Sequence, residues 1–178
     1  MNTDAQDMSS SDSEQARDAI WGQRCGVLHK AWVQLRYQRR RQRFFDLVDK
    51  ITKSLTVMLG ASMLGSELKQ YLPLVASAIS VLGLLALVFG YGDRKQLHKE
   101  LAEQAATLIA AIEKVPAGKL SYAQTAEWNS DYARLCAKAP PPLKTLTILC
   151  EREQSLADGQ KPMVKEPWFY QRWVSDFM

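Results

Sequence analysis

The chain has 178 residues and a net charge of +4 at pH 7, with a pI near 9.0; that length suits one domain with a core and not two independent ones. Cys25, Cys136 and Cys150 are odd in number and lack framework spacing, which argues against a disulfide scaffold and fits a reducing cytosol. The mean hydropathy of −0.24 suits a soluble protein, so any long apolar run in the chain stands out against its surroundings.

Residues 1–18 read as a disordered acidic tail. Asp4, Asp7, Asp12, Glu14 and Asp18 stand among serines with no apolar segment, so no signal peptide is expected. From about Ile20, Trp21, Cys25, Leu28, Trp32 and Leu35 recur at steps of four and three, the seam of a helix over about 20–48. Two heptads are too few for a coiled coil, and an intramolecular packing stripe is the simpler reading. The same helix carries Arg36, Arg39, Arg40, Arg41 and Arg43. Such a block directly before a membrane span is a lipid-headgroup contact and topology signal; a phosphate-bearing partner is the alternative. No zinc, helix-turn-helix or aromatic-sheet spacing accompanies it, so sequence-specific nucleic-acid recognition is not expected.

Two spans follow, at about 51–68 and 72–91. The second is the clearer, with no charged residue from Gln70 to Gly92. Roughly 20 apolar residues at about 1.5 Å rise each cross a hydrocarbon core of about 30 Å. Pro73 falls in the first turn, where a missing N–H costs least. A fully buried helix of a soluble all-α protein is the competing reading, but the polar remainder of the chain is too short to wrap such a helix on all sides. The first span is weaker: it is uncharged only from Ser54 to Ser66, with Lys53 before it and Glu67 and Lys69 after. Thr52, Thr56 and Gly60 recur on one face of it, and Ala61 and Gly65 form a small-xxx-small pair beside them. Ala76, Ser80, Gly83 and Gly90 make a comparable seam on the second span. These seams either pack an antiparallel hairpin against itself or line a pore between subunits. Positive residues stay in the cytoplasm, and Arg94, Lys95 and Lys99 follow the second span as the arginines precede the first. A multi-pass protein with both termini cytoplasmic is therefore expected. Arg94 and Lys95 join Arg36 to Arg43 as candidate headgroup or phosphate contacts.

Beyond the spans the pattern stays helical. Leu97, Leu101, Ala105, Leu108 and Ile112 mark a helix over about 93–115, with no breaker from Gly92 to Lys114, and Val115-Pro116-Ala117-Gly118 ends it. Ser121 and Gln124 form a capping box for a helix over about 121–138, buried through Tyr122, Thr125, Trp128, Tyr132 and Leu135. Pro140 to Pro142 break the chain, and Leu143, Leu146, Cys150 and Leu156 mark a last helix over about 142–157. Residues 161–178 form an aromatic tail that docks on its own domain, on a neighbour or on headgroups. The expected architecture is thus an all-α membrane protein: residues 19–160 form one domain whose two-helix transmembrane hairpin continues into long cytoplasmic helices.

Catalytic chemistry is not expected. His29 and His98 are far apart in sequence, and Cys25 with His29 supplies two metal ligands where a closed zinc site needs four. No phosphate loop, paired-carboxylate or metalloprotease motif occurs. The reading is of a non-enzyme without catalytic residues, metal or cofactor.

Taken together, residues 20–160 resemble the SLATT family, bacterial two-transmembrane effectors that associate with nucleotide-generating or nucleotide-sensing partners. The resemblance rests on the basic helix leading into a tight hairpin and on His98-x-x-Leu101 in the helix that leaves the membrane. It rests most on APPPLKTLTILCEREQSLADG, with its prolines, Leu149-Cys150, Glu153 and Gly159. Arg152 stands where such sequences carry Asn. The resemblance implies an inner-membrane effector of an anti-phage conflict system. Such an effector oligomerises and permeabilises the membrane when a nucleotide second messenger or a sensor protein encoded nearby triggers it. Membrane lipids and further copies of the chain are the other implied partners. A non-conducting adaptor, whose cytoplasmic helices recruit a signalling partner to the bilayer, is the alternative.

Overall fold

A computed structural model of the chain describes residues 3–62 and 71–161. Five α-helices run in order: α1 (Thr3–Ser62), α2 (Leu72–Phe89), α3 (Tyr91–Glu113), α4 (Tyr122–Lys138) and α5 (Lys144–Ala157). A short 3-10 turn, Ala117–Lys119, precedes α4. Among the described residues there is no strand, so the protein is all-helical. Helix α1 starts at Thr3 and not near Ile20, so the acidic segment expected to be disordered is helical here. No proline interrupts it. The C-terminal part of the first expected span, Gly65 with it, and the aromatic tail after Lys161 lie outside the described residues.

The chain divides into two compact units, one of residues 1–37 and 101–178, the other of residues 38–100. The first unit holds two apolar clusters. In one, Val27, Ala31 and Leu35 of α1 meet Ala102, Ala105, Leu108, Ile109 and Ile112 of α3, with Trp128 and Leu135 of α4. Ala31 and Ala105 are both fully buried, the small side chains that let two backbones approach. In the other, Val33 and Tyr37 meet Leu146 and Cys150 of α5, with Leu143 packed against them. The Tyr37 hydroxyl also accepts the backbone N–H of Leu143 at 3.0 Å, which ties the end of the proline segment to α1.

Helix α1 therefore buries two faces in this unit, and a single heptad stripe does not describe it. Trp21 is 45% exposed and Cys25 is exposed; of the expected seam Leu35 is buried and Leu28 and Trp32 pack at the cluster edge, while Val27 and Ala31, one position before Leu28 and Trp32, are buried beside it. Leu97 on α3 and Leu156 on α5 are likewise exposed, whereas on α5 the expected Leu146 and Cys150 are buried together with Leu149 and Gln154. The capping box of α4 is present: the Gln124 backbone N–H donates to Ser121 Oγ at 3.3 Å, and the Ser121 N–H donates to the Gln124 side chain at 3.1 Å.

The second unit is built differently. Its α2 stretch is long and apolar enough to cross a membrane, as the Pro73–Glu113 segment is read, and none of that stretch is buried. Leu74, Val81, Leu84, Leu87 and Val88 are each more than half exposed, and Leu87 reaches 82%. That pattern is the opposite of a soluble core helix, whose apolar face must be covered. Among the described residues this is the one helix that qualifies as a span. The α1 turns expected to form the other carry Lys50 and Lys53 before their apolar part and are described only as far as Ser62, so length and apolarity fall short there. Gly90 alone separates α2 from α3. It is left-handed at φ 53°, ψ 47°, a conformation glycine adopts without Cβ strain. The expected helix from 93 thus begins at Tyr91, one residue past the span's cap.

Candidate membrane-interface site

The charged end of the second unit sits where α1 and α3 run beside each other past the span. Asp46 on α1 is the anchor. Its carboxylate takes the Lys95 ammonium of α3 at 2.6 Å and the Lys50 ammonium at 2.8 Å. Hydrogen bonds from Lys50 and then Lys95 pull its pKa down to about 2, and the Lys95 ammonium is held protonated by the same contact. Next to it in the chain, Phe45 is buried and stacks on His98 of α3, ring centres 5.4 Å apart at 12°. The Arg41 guanidinium lies 4.7 Å from the Phe45 ring centre and Arg94 lies 6.0 Å from it, both within cation–π reach. His98 is 3% exposed, and its Nδ1 pairs with the side-chain oxygen of the fully buried Gln38, an arrangement in which the ring N–H donates. Burial, followed by the nearby positive charges of Arg41 and Arg94, lowers its pKa to about 4, so the imidazole is neutral at physiological pH.

Beside this stack lies an open cleft of about 430 Å³, lined by Arg39, Gln42, Arg43, Asp46 and Lys95. Arg39 and Arg43 are exposed one helical turn apart. The arginine block is thus not one surface. Arg39 and Arg43 turn to the cleft, Arg41 to the Phe44 and Phe45 rings. Arg36 belongs to the other unit, where its Nε donates to Gln154 at 2.8 Å. Gln154 donates on to Asp158 at 2.8 Å, and His29 pairs with the second oxygen of that carboxylate at 2.7 Å. His29 thus pairs with Asp158, and among the described residues no three His, Cys, Asp or Glu side chains are grouped so as to hold a metal ion. Sequence spacing treated five arginines alike because it cannot see which helix faces each one. Phe45, His98, Gln38 and Asp46 were missed as site residues, although Phe45 and Asp46 follow the arginines directly.

The small-residue seams lie partly off the covered face. On α2 the half-buried positions are Val75, Ala78, Ile79, Leu82 and Ala86, whereas Ala76, Ser80 and Gly83 are exposed. The two rows differ by one residue, about 100° around the helix. A Cβ added at Gly60 or Gly83 meets nothing within 4 Å, so close packing inside this chain does not require either glycine. Ala61 is exposed, Thr52 and Thr56 are half-buried, and Gly90 is half-buried at the cap. The hydroxyls of Thr52, Thr56, Ser77 and Ser80 each donate to a carbonyl of their own helix at 2.8–2.9 Å. In hydrocarbon that self-satisfaction is what a polar side chain needs.

Compared with protein-family models, with curated proteins and with solved structures, the chain matches none.

Proposed function

We propose that the chain is a multi-pass membrane protein of SLATT type, an effector whose copies assemble through their spans and permeabilise the bacterial inner membrane. The observation that carries this reading is the apolar stretch of α2, in which no residue is buried. Exposing so much apolar surface to water costs about 25 cal/mol per Å², whereas hydrocarbon removes that cost. The finer parts rest on weaker supports. A second span in α1, closing a two-helix hairpin, is supported by the exposure of Ile51, Leu55, Val57 and Met58. Assembly is supported by the exposed seam of Ala76, Ser80 and Gly83, which leaves room for another helix. The helical unit of residues 1–37 and 101–178 is the natural receiver of a trigger, a nucleotide signal or a sensor protein, because α1 and α3 contribute to both units.

Dye release from cells co-expressing the protein and its genomic neighbours is the direct test. Gly83→Leu and Ser80→Leu should abolish release while the protein stays in the membrane fraction. Unchanged release in both variants removes the seam from the account, and no release under any trigger removes the pore. The adaptor reading has its own support: the seam hydroxyls are turned back to the helix backbone, and no charged side chain stands between Gln70 and Gly92 to line an aqueous path. It is favoured if the protein recruits a partner to membranes without any loss of membrane potential.

A further inference from the structure

The expected apolar seam of α1 is open at one end. Leu28 and Trp32 pack against the first cluster, but one turn before Leu28 Cys25 is exposed, and a further turn back Trp21 is 45% exposed. Asp18 and Glu14 continue the same row at steps of three and four, and both are exposed. The end of α5 is delivered to this place. Asp158, the residue that caps α5, pairs with His29 at 2.7 Å, one turn past Cys25 on α1. Leu156, in the last turn of α5, is 56% exposed. Gly159 then turns the backbone in the left-handed region at φ 73°, and the described chain ends at Lys161. All of these residues belong to one compact unit.

Residues 162–178 remain, and they include Trp168, Phe169, Tyr170, Trp173, Val174 and Phe177. Left in water, apolar surface of that kind costs about 25 cal/mol per Å². Reach favours the chain's own surface over a separate partner. From His29 to Trp21 is eight residues of helix, about 12 Å at 1.5 Å per residue. From Asp158 to Trp168 is ten residues, which extend to about 33 Å at most. A segment tethered so close meets that surface at an effective concentration on the order of millimolar. Charge agrees with the placement: Arg172 is the one cation among those aromatics, and Asp18 and Glu14 stand at the far end of the row.

We propose that residues 168–177 dock on α1 of their own chain, over Trp21 and Cys25 and against Leu28, with Arg172 set toward Asp18 and Glu14. The docked segment closes the open end of the seam and ties the N-terminal part of α1 to the end of α5. The surface lies within the unit of residues 1–37 and 101–178, so the docking does not depend on whether α2 crosses a bilayer.

Disulfide cross-linking of the full-length protein tests the placement. Cys136→Ser and Cys150→Ala leave Cys25 as the single thiol, Gln171→Cys or Ser175→Cys adds a second, and copper phenanthroline oxidises the pair. The Cys25 peptide should be recovered joined to the tail peptide in a chain that migrates as a monomer. The yield should exceed by about tenfold that of a control carrying Cys25→Ser and Lys30→Cys, since Lys30 is exposed about 140° round the helix from Cys25. Equal yields at the two positions, as a tail resting on detergent or lipid gives, overturn the surface. A cross-link found only between two chains overturns the same-chain assignment. Peptide-resolved thiol labelling needs no cysteine removed. Trp168→Ser/Phe169→Ser should speed modification of Cys25 about fivefold or more while Cys136, exposed on α4, keeps its rate. Circular dichroism verifies that helix content is retained. Cys25 labelled at the same rate in variant and wild type overturns the docking.

Discussion

At the scale of single residues, His98 is the side chain whose surroundings most alter its chemistry. It is enclosed by Phe45 and Gln38 and faces two positive charges, and its pKa falls to about 4. In the unfolded chain it titrates near 6.5. Above pH 6.5 both states are neutral and the contribution to stability is constant. Between pH 6.5 and 4 the unfolded chain takes up a proton that the native state refuses, so stability falls by up to about 3 kcal/mol. His98→Gln removes that titration. Melting temperature followed from pH 7 to pH 4.5 in detergent should decline in wild type and stay flatter in the variant; parallel curves would refute the assignment. Asp46 acts in a lower window. Its depressed pKa contributes stability above about pH 4 that is lost as the pH falls toward 2. Neither role announces itself in the sequence: His98 entered only through the His98-x-x-Leu101 resemblance, and Asp46 carries no motif. Their roles depend on Gln38 and Lys95, which are 60 and 49 residues away.

Helix ends and helix faces divided along a simple line. The capping box at Ser121 and Gln124 was legible because it is local: donor, acceptor and spacing all lie within one turn. Ser121→Ala should cost about 1 kcal/mol, read as a lower melting temperature and faster amide exchange in the first turn of α4. Faces were harder. On α4, which packs through one side, the expected Thr125, Trp128 and Leu135 are the buried residues, with only Tyr122 misplaced to the surface. On α1, covered from two directions, the same reasoning chose Trp21 and Cys25 and passed over Val27, Ala31 and Val33. A periodic pattern predicts a face only when there is one partner. Large aromatic residues mislead further, because a half-buried Trp at a cluster edge, as Trp32 is, weighs as heavily in a pattern as a core residue. The acidic start of α1 shows the opposite error, where composition argued for disorder while no residue there forbids a helix.

For the whole molecule, charge and apolarity set the expected topology. On the proposed two-span topology, the arginines before the expected first span and Arg94, Lys95 and Lys99 after α2 predict both termini on the cytoplasmic side. Single cysteines introduced at Ser13 and at Lys161, in a chain freed of its own three, should both resist an impermeant thiol reagent applied to spheroplasts and react after lysis. A Ser13 cysteine labelled from outside, with the Lys161 cysteine protected, would mean that α2 is the sole span. The two units also differ in what stabilises them. Residues 1–37 and 101–178 enclose apolar clusters of their own. In residues 38–100, by contrast, Phe45 is the one described apolar side chain that is buried, and on the proposed membrane reading a bilayer would cover the rest. Read alone, the sequence reached the helical class, the uncharged run from Gln70 to Gly92 and the cap at Ser121, because each is written in neighbouring residues. The partition of the arginines among Gln154, Phe45 and the cleft, the stacking of His98 and the turning of the α2 small-residue seam away from its covered row required the fold. Each of those depends on which distant helix lies opposite, and a helix's own spacing carries no record of its neighbours.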